Sequence, residues 1–222
     1  MQLCRFVLRE EPEGVRSGVF HDGRFFETDG ERAVGVHDPG KVGLLAPMQS
    51  IPSLRVFAKD LSYQYRNSAV FGGPLTELDA PSLDCRAEVR IVAVLKDDGE
   101  QITSEEADAF ILGYALFIGL VTGSETDFPF ALGPFLTIPE GPAEAMLAKP
   151  LSMKINGDEL FSAQLTPPDF PTMIERASRT NRATTADVFA APAIDTPAHK
   201  LKPGDTVQVA HEGLGILSIK VV

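Results

Sequence analysis

Residues 82–95, SLDCRAEVRIVAVL, alternate between polar and apolar and then turn wholly apolar. Alternate side chains of a strand share a face, so Asp84, Arg86, Glu88 and Arg90 fall on one side and Cys85, Ala87, Val89 and Ile91 on the other. The apolar end predicts a strand running into a sheet buried on both faces. Strand patterns also cover residues 2–8, YALFIGLVTG (114–123), FALGPFLTIPEG (130–141, kinked at Gly-Pro) and ADVFAAPAI (186–194). SGVFHDGRFFETDG (17–30) predicts a hairpin turning at His21-Asp22-Gly23, and LSMKINGDELFSAQL (151–165) a hairpin around Asn156-Gly157, the strongest short hairpin signal in the chain. Residues 53–67 predict one strand, GGPLTELDAPS a turn-rich connection, and 201–222 two strands after a Pro-Gly turn.

Two helices are predicted. Thr103 with Glu106 has capping-box spacing and starts a helix over about 104–111, which Gly113 ends. Pro171 starts a second over 171–181, with Met173, Ile174 and Ala177 at helical spacing. The class is α+β and β-rich. APMQSIP, with two prolines, divides a small N-terminal β subdomain (1–47) from a larger domain (48–222).

With 222 residues, 44% of them apolar and 23% charged, the chain is an ordinary globular one. Its net charge of −11 argues against nucleic acid and against an anionic membrane surface. Two cysteines, Cys4 and Cys85, read as free core thiols rather than a disulfide or zinc site. MQLCRFVLREEPEG carries charges too early for a signal peptide, and the longest apolar run, 110–123, is short for a membrane span. A soluble, cytoplasmic protein is expected.

LGPF (132–135), KING (154–157), LKPGDTVQV (201–209) and EGLGIL (212–217), in this order and spacing, resemble the fumarylacetoacetate hydrolase family over nearly the whole chain. The resemblance implies a mixed β-roll, a homodimer, and activity as a hydrolase, isomerase or decarboxylase on 2-oxo or β-diketo acids. It also implies a divalent metal held by two glutamates one residue apart on a strand, with a third carboxylate on the next. A hard cation needs several oxygen donors, so paired carboxylates on one strand face make chemical sense. Here Arg86 stands at the first glutamate position and Glu88 at the second. The aspartate position falls near Gly119, the histidine near Arg66 and the lysine near Gly73; the threonine-bearing loop falls in VFAAPAI without a clear match.

The expected site is therefore Glu88, Arg86 and Arg66, with the usual metal absent or weak (a weak Mg or Mn site is what the resemblance leaves) and no other cofactor. A cation held by a lone carboxylate is weakly bound and is repelled by the guanidiniums beside it, and a guanidinium neutralises the carboxylate without a metal. The ligand expected is a small oxo-acid or other carboxylate. A bland reading stands beside this one: a surface salt-bridge ladder worth about 0–1 kcal/mol per pair. Two further readings remain open, an active enzyme with rearranged ligands, Glu125 and Asp127 being candidates, and a non-catalytic structural or interaction subunit. His21, His37, His199 and His211 are expected at the surface, and Tyr63 and Tyr65 in the core. GLG at 213–215 is no dinucleotide loop, since no helix follows it.

Overall fold

The computed structural model describes residues 1–30, 32–80, 84–123, 125 and 127–222. Ser82 and Leu83, at the start of the alternating strand, and Ser124 and Thr126, in the candidate GSETDF segment, lie outside the described residues.

In chain order the strands are β1 (Gln2–Leu8), β2 (Glu11–His21), β3 (Arg24–Asp29), β4 (Arg32–His37), β5 (Val42–Leu44), β6 (Leu54–Phe57), β7 (Tyr63–Arg66), β8 (Phe71–Gly72), β9 (Thr76–Leu78) and β10 (Arg86–Leu95). Helix α1 (Ser104–Ala107) precedes β11 (Ile111–Val121) and β12 (Phe130–Thr137), and α2 (Ala143–Leu147) precedes β13 (Pro150–Ile155) and β14 (Asp158–Gln164). Helix α3 (Phe170–Ser178), β15 (Val188–Ala190), β16 (Thr206–His211) and β17 (Gly215–Val221) complete the chain.

The strands form two mixed sheets. The larger runs β4-β3-β2-β1-β12-β11-β10-β15-β6-β7, with β5 beside β1 and β8 beside β12; the smaller runs β14-β13-β16-β17-β9. The pairs β6/β15, β8/β12 and β9/β17 are parallel. The N-terminal strands join the rest through β1 and β12, with Gln2 opposite Thr137 and Leu3 opposite Leu136.

Strand β10 lies at the centre, antiparallel to β11 with Glu88 opposite Gly119 and Arg90 opposite Phe117. Its two faces serve two apolar layers. Val89, Ile91, Ala93 and Leu95 pack with Leu116, Ile118, Val207, Val209 and Leu217 between the sheets. Val92 and Val94 pack with Leu54, Val56, Phe117 and Phe130 on the far side. The charged half of the alternation thus divides: Glu88 and Arg90 belong to a second buried face, while Asp84 and Arg86 remain exposed. Cys4 and Cys85 are free and buried, and burial pushes the Cys4 thiol up to about 12, out of reach of thiolate chemistry.

The hairpins turn where their left-handed residues sit, at Asp22-Gly23 and Asn156-Gly157. Three expectations are corrected. Residues 53–67 are two strands, β6 and β7, reversed at Leu61, whose φ of 62° makes the turn. The first helix is only one turn; its capping box forms, with Thr103 Oγ1 donating to Glu106 Oε2 at 2.9 Å, but a 3-10 turn over Asp108–Phe110 leads straight into β11. Gly113 is therefore a strand residue, and it is small because a Cβ there would meet the Thr137 carbonyl oxygen at 2.7 Å. Third, His211 is buried, at 2% exposure. Its Nδ1 accepts from the Gly213 amide at 3.1 Å, and its Nε2 faces the Leu147 carbonyl at 3.4 Å.

That geometry needs a neutral ring with the proton on Nε2. Burial lowers the His211 pKa below its ordinary 6.5. Between the lowered value and 6.5 the unfolded chain binds the extra proton and the folded chain does not, so stability falls as pH drops through this window. Urea midpoints measured from pH 8 to pH 5 are expected to decline below 6.5. His211→Gln, whose carbonyl can still accept from Gly213, is expected to flatten that part of the decline.

Candidate functional site

The apolar character of β10 stops at Arg90, and three charged side chains gather there. Glu88 Oε1 accepts from Arg90 Nε at 2.8 Å and also from Arg90 Nη2. Its other oxygen, Oε2, lies 2.7 Å from Arg66 Nη1. All three residues are buried, with the Arg66 side chain only 2% exposed. Leu54 is paired with Arg66 across the β6–β7 hairpin, which brings Arg66 over the same face as Glu88. The Arg90 Nη1 group donates onward to the carbonyls of Phe57 and Ala191, at 2.8 and 2.6 Å, tying β10 to the ends of β6 and β15. Burial lowers the Arg90 pKa and Arg66 adds to that, while Glu88 pulls it the other way. Arg66 and Glu88 meet as an ion pair without hydrogen-bond geometry: Arg66 Nε, Nη1 and Nη2 and Glu88 Oε2 make no hydrogen bond among the described residues.

The Phe117 side of the cluster is filled. The Arg66 guanidinium carbon lies 6.0 Å over the Phe117 ring, within cation–π range. At Gly119, opposite Glu88, a Cβ would meet Phe117 ring carbons at 2.9 and 3.1 Å and Glu88 Oε2 at 3.5 Å. At Gly73 a Cβ would meet the Ala46 amide nitrogen at 2.2 Å, so backbone packing leaves no room for a side chain.

Arg86 behaves differently from Arg90. It is exposed, takes no part in the ion cluster, and lines a cleft of about 250 Å³ with Glu88, Thr196 and His199. The expected trio thus divides: Glu88 and Arg66 meet, Arg86 stands at the cleft, and Arg90 takes the place beside the carboxylate. The signal that separates the arginines is position, since Arg90 immediately precedes the apolar run and Arg86 lies four residues earlier. Glu125 is exposed, and Asp127 accepts from the Asn67 amide at 2.9 Å. Among the described residues no group of three His, Cys, Asp or Glu side chains is gathered to hold a metal ion. Glu88, with guanidiniums on both oxygens, does not fit a hard divalent cation, which needs several free oxygen donors.

A second buried ion pair had no signal in the sequence. Arg55 Nη2 lies 3.2 Å from Asp187 Oδ2, and Arg55 packs over Phe189 and Tyr65. Ser53 donates to Asp187 Oδ1 at 2.7 Å. Tyr65, expected in the core, is half exposed, and Tyr63 is partly buried. His199 borders the cleft, and 213–215 is the β16–β17 turn.

Two mixed sheets packed across a central strand that ends in buried charge define a mixed-β protein of the hydrolase-roll type. The chain belongs to the fumarylacetoacetate hydrolase family: the family model described as Fumarylacetoacetate (FAA) hydrolase C-terminal matches residues 49–222. Comparison with curated proteins returned no match. Among solved structures, 5-carboxymethyl-2-hydroxymuconate delta-isomerase from Mycobacterium smegmatis superposes with a TM-score of 0.80 at 20% identity, covering 100% of this chain and 99% of that one. Maleylpyruvate hydrolase from Sphingobium sp. SYK-6, in complex with manganese(II) ion and pyruvate, gives 0.82 at 16% identity with the same coverage. Fumarylacetoacetate hydrolase from the psychrophile Exiguobacterium antarcticum gives 0.83 at 18% identity, again covering 100% and 99%. At these identities the likeness is one of fold.

Removing the central carboxylate leaves two buried guanidiniums facing each other. Glu88→Gln is expected to destabilise the protein by about 3–5 kcal/mol in urea denaturation. Exposed Arg86→Ala is expected to stay within about 0.5 kcal/mol.

Proposed function

We propose that this chain is a divergent family member that binds a small oxo-acid or other carboxylate in the cleft beside β10, without the family's divalent metal. The observation that carries this reading is the engagement of both Glu88 oxygens by Arg66 and Arg90. Neither oxygen is free to take up a cation. Glu88, the carboxylate at the cleft, is neutralised from behind by buried Arg66 and Arg90, which leaves Arg86 as the exposed charge for an anion. Arg86 at the cleft supplies a planar fork for a carboxylate. The cleft is small, and so is the ligand. Glu88 is a structural counter-ion in this reading, and any turnover would need a base from elsewhere. Relatives named as isomerases and hydrolases supply the class of ligand, a 2-oxo or dienoate acid. A homodimer and a cytoplasmic location belong to the same proposal; no described helix is long and apolar enough to cross a membrane.

The test is a thermal-shift screen of pyruvate, oxaloacetate and an acylpyruvate in chelator, with Mn²⁺ titrated calorimetrically in parallel. A ligand at 100 times its Kd is expected to raise the midpoint by about 5–10 °C, and Arg86→Ala to remove most of that rise. Tight uptake of one Mn²⁺ per chain, or shifts that vanish in chelator, would overturn the metal-free reading.

A further inference from the structure

The segment after β15 continues the ladder beside β10 and then leaves it. Ala191 donates to the Ile91 carbonyl at 3.0 Å, Ile194 to Val89 at 2.9 Å and Leu201 to Cys85 at 2.8 Å. From Ile194 to Leu201 the segment takes seven steps while β10 takes four, from Val89 to Cys85. The surplus is the loop 195–199, DTPAH, which stands off the strand and walls the cleft through Thr196, Pro197, Ala198 and His199. Alternation along β10 points the backbone of Cys85, Ala87, Val89 and Ile91 to this side. The carbonyls of Cys85, Val89 and Ile91 each accept from the segment, and Ala87 is the one between them that the segment skips. Ala87 borders the cleft, and among the described residues no group from the loop bonds to its amide or carbonyl.

A missing rung in an antiparallel ladder specifies a ligand. A hydrogen-bonded pair takes one N–H and one C=O from the same residue of each strand. The ligand must therefore offer an amide donor to the Ala87 carbonyl and, one carbon away, an oxygen acceptor to the Ala87 amide. It must also bear negative charge for Arg86, the neighbouring residue on the cleft wall. Asp84, which acts electrostatically on Arg86, is itself hydrogen-bonded to Lys200. We infer that the cleft takes N-acyl-α-amino acids: the acylated N–H fills the donor position, and the carboxylate fills the acceptor position and pairs with Arg86. A plain 2-oxo acid satisfies the amide and the arginine but leaves the Ala87 carbonyl unpaired. An acceptor that a bound ligand covers without supplying a donor discriminates against that ligand.

This inference rests on the carboxylate-binding reading above, and the experiment separates the two. Calorimetric titrations in chelator at pH 7.5 compare N-acetyl-L-alanine with O-acetyl-L-lactate, its ester isostere without the N–H, and with pyruvate. The amide is expected to bind at least tenfold more tightly than the ester and pyruvate, and Arg86→Ala to weaken it at least tenfold. Equal affinity for amide and ester, both lost in Arg86→Ala, would overturn the amide inference while leaving a carboxylate site. An amide preference indifferent to Arg86→Ala would place the ligand elsewhere and overturn it as well. No binding of any of the three would sink both readings together.

Discussion

One carboxylate held between two guanidiniums organises the end of the central strand. Glu88 lies where β10 passes from a core buried on both faces to a region bordered by a cleft. A single arginine beside it would neutralise the charge. The second does something further: Arg66 belongs to the β6–β7 hairpin, and Arg90 reaches the carbonyls that end β6 and the β15 segment. Three separate stretches of chain converge on one side chain. Burying such charges is costly, and the cost is offset only if each donor and acceptor finds a partner in good geometry. Arg90 meets that requirement through Nε, Nη1 and Nη2, and so ties the central strand to the end of β6 and to the segment after β15.

This placement was partly legible in the residues. The alternation over 84–90 identified the face, and the order of the LGP, Asn-Gly and LKPGD segments identified the fold. Periodicity also located both main hairpins and the capping box, because these depend on residues close in sequence. Local pattern misled where distant contacts decide. The apolar stretch from Ile111 reads as the end of a helix until β12 is placed beside it, with the Thr137 carbonyl excluding any side chain at Gly113. His211 reads as a turn residue until α2 places the Leu147 carbonyl against its ring. Distance from Glu88 does not separate Arg86 from Arg90, which are equidistant from it along the strand; the apolar run that begins after Arg90 does, because it marks depth in the sheet.

The cleft has a different origin from the ion cluster, although they share Glu88. It exists because a segment following the strand has more residues than the strand has rungs. The cluster is buried on regular strands, whereas the loop wall, Thr196 to His199, lies outside regular structure. The lining of the cleft can therefore vary through the loop while the buried charges stay in place, the usual division between a scaffold and the loops it carries.

The crowding at Gly119 bears on how this chain can change over generations. A side chain there must displace the Phe117 ring; that ring lies under Arg66, and Arg66 in turn balances Glu88. An acidic replacement at 119 would arrive in a space already taken, beside a carboxylate already spoken for. It would become tolerable only after Phe117 had been shortened, a step that first loosens the support of Arg66. Any route to a multi-carboxylate site here thus runs through poorer intermediates, and its steps are beneficial only in certain orders. In evolutionary terms the aromatic ring acts as a ratchet.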